Sequence, residues 1–373
     1  MTKLNSIITT AALAAVVAVP AIAQTQVERT MTTTTTMTTS VVPSNLPDVP
    51  TPSMQALLAA YASLEPKPIS MLSPREARKQ PTLADAEKVL LKEIKAKKLS
   101  TRDIEVDSDK YMSVSGDKLP MKIYYTKVDG KGDTPRPVIL YFHGGGFVIG
   151  SAKAYENSIV ALARKTGAIV VAPEYRLAPE SRFPAPQEDA ISAYKWVVDN
   201  IGEYNGDPAK VAVVGESAGG NLATNVGILA LSNGLKAPVA LGLIYPVAQT
   251  DMLTPSYQMY ANAVPLSKAS MEWFVSQIAR PESRAEVLKD PRLSLVDSKL
   301  EGLPPTTVIT AGIDPIKDDG ILLANRLRQS GVPTAYQNFP GVTHEFFGFD
   351  SVLPEARVAQ DYLAAHLNEQ FAK

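Results

Sequence analysis

Apolar residues recur along this chain in short continuous runs, and amphipathic stretches separate one run from the next. The apolar runs lie at 137–142, 168–172, 211–214 and 241–245, and a further strand pattern, rich in Thr, lies at 306–310. Runs of this length without polar interruption are typical of strands that are covered on both faces. Helical patterns lie between them, at about 155–165, at 186–201 and after Ser217. The alternation predicts an α/β fold with a doubly wound, mostly parallel central sheet flanked by helices.

Three segments depart from this alternation. Residues 54–100 carry two helical patterns, the second from about Leu83 to Lys97, and predict a small helical segment that packs onto the main domain. Residues 101–128 predict two strands joined by a glycine-containing turn. Residues 251–290 hold Met, Tyr and Trp at helical spacing and predict an insertion over the edge of the sheet.

The N-terminus has the pattern of an export signal. Lys3 gives a basic start, an apolar run follows at 7–19, and the run ends in the small-residue triplet at 21–23. This order predicts a cleavable signal peptide over 1–23 and a secreted or periplasmic protein. The apolar run is shorter than the roughly 20 residues that a membrane span requires, so we expect no stable membrane anchor.

Residues 24–53 consist largely of Thr and Pro. Such a segment has few apolar groups to bury and cannot offset the entropy cost of ordering, so it predicts a disordered tether. A β-strand is the competing interpretation, since Thr is β-branched, but no alternating apolar face supports it. The main domain is then expected over 54–373.

Charge and cysteine content exclude several classes of function. The 373 residues include 37 Lys and Arg against 38 Asp and Glu, so the net charge is −1. Without a basic excess, no nucleic-acid partner is expected. The chain has no cysteine, which excludes disulfides, thiolate metal sites and a cysteine nucleophile. The sequence leaves the oligomeric state open, a homo-oligomer included.

Ser217 is the strongest candidate for a catalytic nucleophile. It lies in Gly215-Glu216-Ser217-Ala218-Gly219, directly after the apolar run at 211–214 and directly before a helical pattern. A nucleophile at a tight strand-to-helix turn has a strained backbone, and its neighbours two positions away must be small. Gly215 and Gly219 meet that requirement.

A serine nucleophile needs a base, and the chain offers three histidines. His366 lies in a terminal amphipathic helix, where a surface role is the simpler interpretation. His143 precedes three glycines, so it is expected to shape a loop. His344 follows the strand predicted near 335–339 and is the predicted general base.

The base needs a carboxylate that orients its ring, placed after the penultimate strand and between nucleophile and base in the sequence. Asp314 follows the predicted strand at 306–310 and is the predicted orienting residue. Asp318 and Asp319 are nearby rivals. Both lie where a helix is expected to begin, so capping that helix is their simpler role.

Glycines after the strand at 137–142 offer unobstructed backbone amides. His143-Gly144-Gly145-Gly146 can direct N–H groups at the oxyanion of a tetrahedral intermediate, together with the N–H of Ala218. A phosphate-binding loop is the alternative interpretation. It fails because no Lys-Ser/Thr pair follows and Ile149 occupies the position of the third glycine. No cofactor and no metal are expected.

These motifs together resemble the hormone-sensitive-lipase family of esterases (bacterial family IV) over roughly residues 54–370. The matching sequences are His143-Gly144-Gly145-Gly146-Phe147, Tyr175-Arg176-Leu177-Ala178-Pro179-Glu180, Gly215 to Ala223, Asp314-Pro315 and His344. The resemblance implies an α/β-hydrolase fold with a helical cap from about 54–100 and 251–290. It also implies Gly145, Gly146 and Ala218 as oxyanion donors and short- to medium-chain acyl esters as substrates. The chain departs from the family pattern at Glu174 and Glu216, where Asp is usual, and at Glu345, where Gly is common.

The first hypothesis is therefore an exported carboxylesterase that acts on a small-molecule ester. A lactonase, an amidase or a carbamate hydrolase could use the same triad, because the acyl and leaving-group sites decide among them. A non-catalytic binding module and a lipase for long-chain fats are weaker alternatives. Several insertion residues are apolar enough to line an acyl pocket, although ordinary packing explains such residues more often. They are Met252, Leu253, Tyr257, Met259, Tyr260, Trp273 and Phe274.

Overall fold

An eight-stranded sheet forms the centre of the computed structural model, which describes residues 47–127 and 134–373. The strands are β1 Ile104–Met112, β2 Lys118–Thr126, β3 Arg136–Phe142, β4 Ile169–Pro173, β5 Gly206–Glu216, β6 Ala240–Ile244, β7 Thr306–Ile313 and β8 Thr334–Thr343. Their order across the sheet is β1-β2-β4-β3-β5-β6-β7-β8. Strands β1 and β2 pair antiparallel, β2 pairs antiparallel with β4, and the remaining neighbours are parallel.

Helices cover both faces of this sheet. The α-helices of the described residues are α1 Pro52–Ala62, α2 Pro74–Ala77, α3 Leu83–Glu93, α4 Glu156–Thr166, α5 Ala185–Asn200, α6 Ala218–Ser232, α7 Pro255–Met259, α8 Lys268–Ile278, α9 Arg284–Val287, α10 Lys317–Gln329 and α11 Pro354–Phe371. The predicted mostly parallel sheet flanked by helices is confirmed. None of the helices in the described ranges has the length and apolar character that crossing a bilayer would require.

Alternate residues of the central strands point into two separate hydrophobic cores. On one face Leu140 of β3 packs in the same cluster as Leu222 of α6. On the other face Ile139 packs with Ile159 of α4 and Leu363 of α11. Burying one such side chain contributes about 1.5–3 kcal/mol, so strands covered on both faces are continuous apolar runs.

Strands β7 and β8 extend further than the sequence predicts. The sequence predicts strands at 306–310 and near 335–339, whereas β7 ends at Ile313 and β8 at Thr343. The strands stay paired past a register shift, with Ile313 opposite Thr343. As a result, the residue after each strand is held by the sheet and does not depend on a free loop.

Two helical segments lie outside the alternating core, one over α1 to α3 and one over α7 to α9. They contact each other, because the indole N–H of Trp273 in α8 donates to the Leu72 carbonyl at 3.0 Å. Helix α1 begins at Pro52, inside the segment predicted as a tether, and the Thr51 N–H donates to the Gly341 carbonyl at 2.9 Å. Residues 1–46, which hold the predicted signal peptide and the rest of the tether, lie outside the described residues.

Candidate active site

Ser217 lies at the junction of β5 and α6 with a strained backbone. Its φ is 57° and its ψ is −119°, a region that a residue with a side chain rarely adopts. The turn is held by backbone hydrogen bonds: the Ser217 N–H donates to the Ile244 carbonyl at 2.9 Å, and the Ser217 carbonyl accepts from Gly220 and Val247. The first residue of α6, Ala218, follows directly, so the partial positive charge of the helix N-terminus lies beside the hydroxyl.

Glycines are required on both sides of this turn because backbone approaches backbone there. A Cβ atom added to Gly215 would lie 2.1 Å from the Gly219 carbonyl oxygen. A Cβ atom added to Gly219 would lie 2.1 Å from the carbonyl oxygen of Phe142 at the end of β3. The second contact packs the start of α6 against the loop that follows β3.

His344 and Asp314 follow directly from the adjacent strands β8 and β7, and their side chains meet. The Nδ1–H of His344 donates to Asp314 Oδ2 at 2.7 Å. Both residues are buried, with Asp314 wholly enclosed. Because a carboxylate oxygen can only accept in this bond, the contact fixes the ring tautomer and leaves Nε2 as the nitrogen that can accept a proton.

The other two histidines lie in different settings. His143 is buried, its Nδ1–H donates to the Gly144 carbonyl at 2.7 Å, and its ring stacks on Tyr175 with 4.3 Å between centroids. These contacts hold the loop after β3. His366 lies on α11 and donates from Nδ1 to the Tyr362 carbonyl at 2.8 Å. Within the described ranges neither of them hydrogen-bonds to Asp314, so His344 is the histidine that the carboxylate orients.

Asp318 and Asp319 lie in the first turn of α10, as predicted, but their carboxylates serve a different purpose from capping that helix. Asp319 is buried and accepts from the backbone N–H of Ala248 and from the side-chain amide of Gln249. Asp318 accepts from the Ser256 N–H at 2.9 Å. Both carboxylates therefore tie the chain that leaves β6 to the β7–α10 junction. Burial raises the pKa of Asp319 to about 8.

The glycine loop after β3 presents backbone beside Ser217. Gly145 and Gly146 both have positive φ, 108° and 59°. A Cβ atom on Gly146 would lie 2.3 Å from the ring of Phe274 in α8, so only glycine allows α8 to pack there. Within residues 47–127 and 134–373, neither the Gly145 N–H nor the Gly146 N–H donates to a backbone carbonyl. Both amides are thus available to an oxygen in the cavity.

The imidazole of His344 is surrounded by negative charge. Burial alone lowers its pKa, but the Asp314 carboxylate and its hydrogen bond, followed by the carboxylates of Glu345 and Glu216, outweigh burial and raise the pKa above 6.5. Glu216 is buried, and its two oxygens accept from the hydroxyls of Tyr141 and Tyr245. The Tyr245 ring packs against the His344 ring with 4.6 Å between centroids.

Ser217, His344, Gly145 and Gly146 line one cavity of about 110 Å³. The helical segments over the sheet complete its wall with apolar and aromatic side chains. They are Tyr61, Ile69, Leu83, Leu266, Met271 and Phe274. A nucleophile, a base with a fixed tautomer and two free amides therefore face the same cavity, which is the arrangement that acyl transfer requires.

Sequence reasoning did not single out Tyr61, Ile69 and Leu83 as lining residues. Tyr61 and Leu83 belong to helical patterns, which predict burial of one face but not the partner that this face contacts, and Ile69 belongs to neither pattern. The insertion residues that the sequence offered for an acyl pocket have different locations. Phe274 lines the catalytic cavity, Tyr257 is fully buried, and Leu253 is 71% exposed. Glu345 also lines the cavity, and the sequence did single it out, because glycine is common at this position in the family that the chain resembles.

Comparisons with known proteins show which proteins the chain is similar to. Residues 139–348 match a protein family described as having the alpha/beta hydrolase fold. The chain is 37% identical over 244 residues to an ethyl acetate hydrolase of Pseudomonas putida, covering 65% of this chain and 75% of that protein. A carboxylesterase of Mycobacterium tuberculosis is 34% identical over 245 residues, with the same two coverages of 65% and 75%. The solved structure of a hyperthermophilic esterase from Pyrobaculum calidifontis superposes with a TM-score of 0.75 at 33% identity, covering 87% of this chain and 100% of that chain.

The Gly219→Ala substitution tests the close approach at the Ser217 turn. The new Cβ would lie 2.1 Å from the Phe142 carbonyl oxygen, so β3 and α6 must separate. We expect a loss of about 2–5 kcal/mol in the free energy of unfolding, measured by denaturant titration, or a failure to accumulate soluble protein. Gly202→Ala is the matched control, because nothing lies within 4 Å of its added Cβ. Equal stability of the two variants would contradict the packing described here.

Proposed function

The chain belongs to the hormone-sensitive-lipase family of α/β-hydrolase fold esterases, and we propose that it hydrolyses short- to medium-chain acyl esters through an acyl-enzyme on Ser217. As in its relatives, the activity is that of a carboxylic ester hydrolase. One observation supports the proposal for the site: His344, whose ring is held by Asp314, lines the cavity that Ser217 and the glycine loop also line.

Acylation begins when the Ser217 Oγ attacks the ester carbonyl carbon and His344 Nε2 takes the hydroxyl proton. The N–H groups of Gly145, Gly146 and Ala218 stabilise the oxyanion of the tetrahedral intermediate. Asp314 keeps the ring oriented and stabilises the imidazolium. When the intermediate collapses, the bond to the alcohol oxygen breaks, His344 returns its proton to that oxygen, and the alcohol leaves.

Deacylation repeats these steps with water. His344 takes a proton from a water molecule, the hydroxide attacks the acyl carbon, and a second tetrahedral intermediate forms at the same amides. Its collapse breaks the bond to Ser217 Oγ, which receives the proton from His344. The products are a carboxylic acid and the free enzyme, and no step needs a cofactor.

Cavity size supports the acyl-chain range. An apolar pocket of about 30 Å³ lies beside the glycine loop after β3. Its lining includes Gly146, Val247, Met252, Phe274 and Ile278. Both this pocket and the catalytic cavity are small beside the roughly 300–1,000 Å³ of a typical ligand site. A long acyl chain in this pocket would have to displace the helix that carries Phe274, whereas a short one fits there without rearrangement.

Export is part of the proposal and has separate support. It rests on the basic, apolar and small-residue order of residues 1–23, which lie outside the described residues. A secreted or periplasmic esterase would meet small esters before they enter the cytoplasm.

The Ser217→Ala substitution tests the nucleophile. Because the acyl-enzyme cannot form, we expect hydrolysis of p-nitrophenyl acetate to fall by at least about 10⁴-fold in kcat. A fluorophosphonate should label the wild-type protein and leave the variant unlabelled, as read by intact-protein mass spectrometry. Ser232→Ala, at the exposed end of α6, is the matched control and should behave like wild type. Labelling of the Ser217→Ala variant would point to a different nucleophile.

The acyl range is tested by a series of p-nitrophenyl esters from acetate to palmitate. We expect kcat/KM to be highest among the short and medium chains and to fall at least about tenfold for palmitate, because the apolar pocket is small. Truncating its wall by Phe274→Ala should shift the preference towards longer chains. A profile that rises steadily to palmitate would identify a long-chain lipase instead.

The pH dependence follows from the environment of His344. The ring must be neutral to accept the serine proton, and its pKa is raised, so activity is lost as the pH falls through that raised value. We expect the acid limb of kcat/KM to have its midpoint above 6.5. Asp314→Asn removes the nearest anion, so the midpoint should move to lower pH while kcat falls by about 10³–10⁴-fold. Asp199→Asn, exposed on α5, should leave the midpoint in place; a wild-type midpoint below 6 would contradict the raised pKa.

A further inference from the structure

A second cavity, of about 240 Å³, adjoins the catalytic one. The two share part of their wall, including Gly145, Ile149 and Glu345. Ser217 and His344 line only the smaller cavity. A larger chamber, which the proposed chemistry does not by itself use, therefore lies directly beside the catalytic cavity, with Glu345 in the wall of both.

The larger chamber lies on the side of Ser217 from which the alcohol portion of an ester departs. His344 must hand its proton to the alcohol oxygen, so the alcohol portion of an ester lies on the His344 side of the scissile bond. The residue after His344 is Glu345, at the junction of the two cavities. The acyl portion takes the apolar pocket beside Phe274, and the alcohol portion extends past Glu345.

Glu345 places a carboxylate at that junction at the cost of an unfavourable backbone. Its φ of 68° lies in the left-handed region, which glycine would adopt without strain. Its Oε1 accepts from the Tyr155 hydroxyl at 3.1 Å, and Tyr155 lines the larger cavity. Tyr61 lines the smaller cavity, and burial, followed by the Glu345 carboxylate, raises the pKa of its hydroxyl to about 12.

Among the described residues, Arg78 places its guanidinium in the wall of the larger cavity, but it does not neutralise the Glu345 carboxylate. The Arg78 Nη atoms donate to both carboxylate oxygens of Glu180, at 2.8 and 2.7 Å. Its Nε donates to the Val148 carbonyl. The charge of Arg78 is thus balanced by Glu180, and its donors are in use.

The other carboxylate in the wall is Glu216, whose oxygens accept from two buried tyrosine hydroxyls. Neither Glu216 nor Glu345 forms an ion pair with a Lys or Arg in the described ranges, but both Glu216 oxygens are held by hydroxyls, and of the two only Glu345 also lines the catalytic cavity. Glu345 is therefore the negative charge that an alcohol group would meet on leaving the catalytic cavity. Aromatic rings beside a carboxylate form an environment that attracts organic cations.

We infer that this enzyme favours esters whose alcohol portion carries a positive charge, such as a quaternary or primary ammonium, and that Glu345 is the residue that determines this specificity. The inference rests on the proposed function, because it uses the leaving-group side of Ser217. Glu345 is a specificity residue for the alcohol and takes no part in bond breaking.

A pair of esters with the same shape and different charge isolates this effect. The acetate ester of choline carries a trimethylammonium group, and 3,3-dimethylbutyl acetate carries a neutral tert-butyl group at the same position. We expect wild-type kcat/KM to be about five- to tenfold higher for the choline ester, and this ratio to fall as salt is raised to about 0.5 M. In Glu345→Gln and in Glu345→Gly, which also relieves the backbone strain, the ratio should fall to near unity.

The ratio within each variant cancels any general effect on the chemistry. Glu301→Gln removes the same charge from an exposed position before β7 and should keep the wild-type ratio. A wild-type ratio near one, or a ratio unchanged by both Glu345 substitutions, would overturn the inference. So would turnover of p-nitrophenyl acetate with neither acetate ester accepted. If p-nitrophenyl acetate is also inert and Ser217 takes no phosphonate label, the proposed function itself fails.

Discussion

The contact between Gly219 and the Phe142 carbonyl is the constraint on which the site depends. It brings the first turn of α6 against the end of β3, at a separation that leaves no room for a Cβ atom. The same contact fixes the Ser217 hydroxyl, the Ala218 amide and the glycine loop relative to one another, because all three are attached to those two segments. The positive φ of Ser217 costs about 1–3 kcal/mol, and the buried strands on either side hold it in place.

The second half of the site depends on strand pairing. Asp314 and His344 are 30 positions apart in the chain, yet each follows the last paired residue of its strand, and those residues, Ile313 and Thr343, lie opposite each other. The sheet thus sets the distance between carboxylate and imidazole. A rigid scaffold of this kind keeps the base aligned without further loop contacts, which is how sites on regular elements gain precision.

Local sequence features were sufficient to predict the central strands, the turn at Ser217 and the order of Ser217, Asp314 and His344. Each depends on a few neighbouring residues, such as an apolar run followed by Gly-x-Ser-x-Gly. The ends of β7 and β8 could not be predicted, because pairing resumes at Ile313 and Thr343 only after a register shift that passes over Pro340 and Gly341, residues that do not indicate a strand by themselves. The roles of Tyr61 and Asp319 were not predicted for a related reason: they are set by partners far away in the sequence, at Glu345 and at Ala248.

Backbone strain in the described ranges is concentrated around the site. Non-glycine residues with positive φ occur at Phe147, Ser217, Tyr245 and Glu345, in or beside the catalytic cavity, and at Glu65, Lys95 and Asn205 elsewhere. Strain at a turn on the surface can be relieved by fraying, but strain beneath packed helices persists only when the surrounding contacts outweigh it. Tyr245 shows why it persists here: its unusual backbone places one ring against His344 and its hydroxyl on Glu216. Two of the strained residues therefore place groups beside the imidazole, the ring of Tyr245 and the carboxylate of Glu345, and relaxing either backbone would move that group.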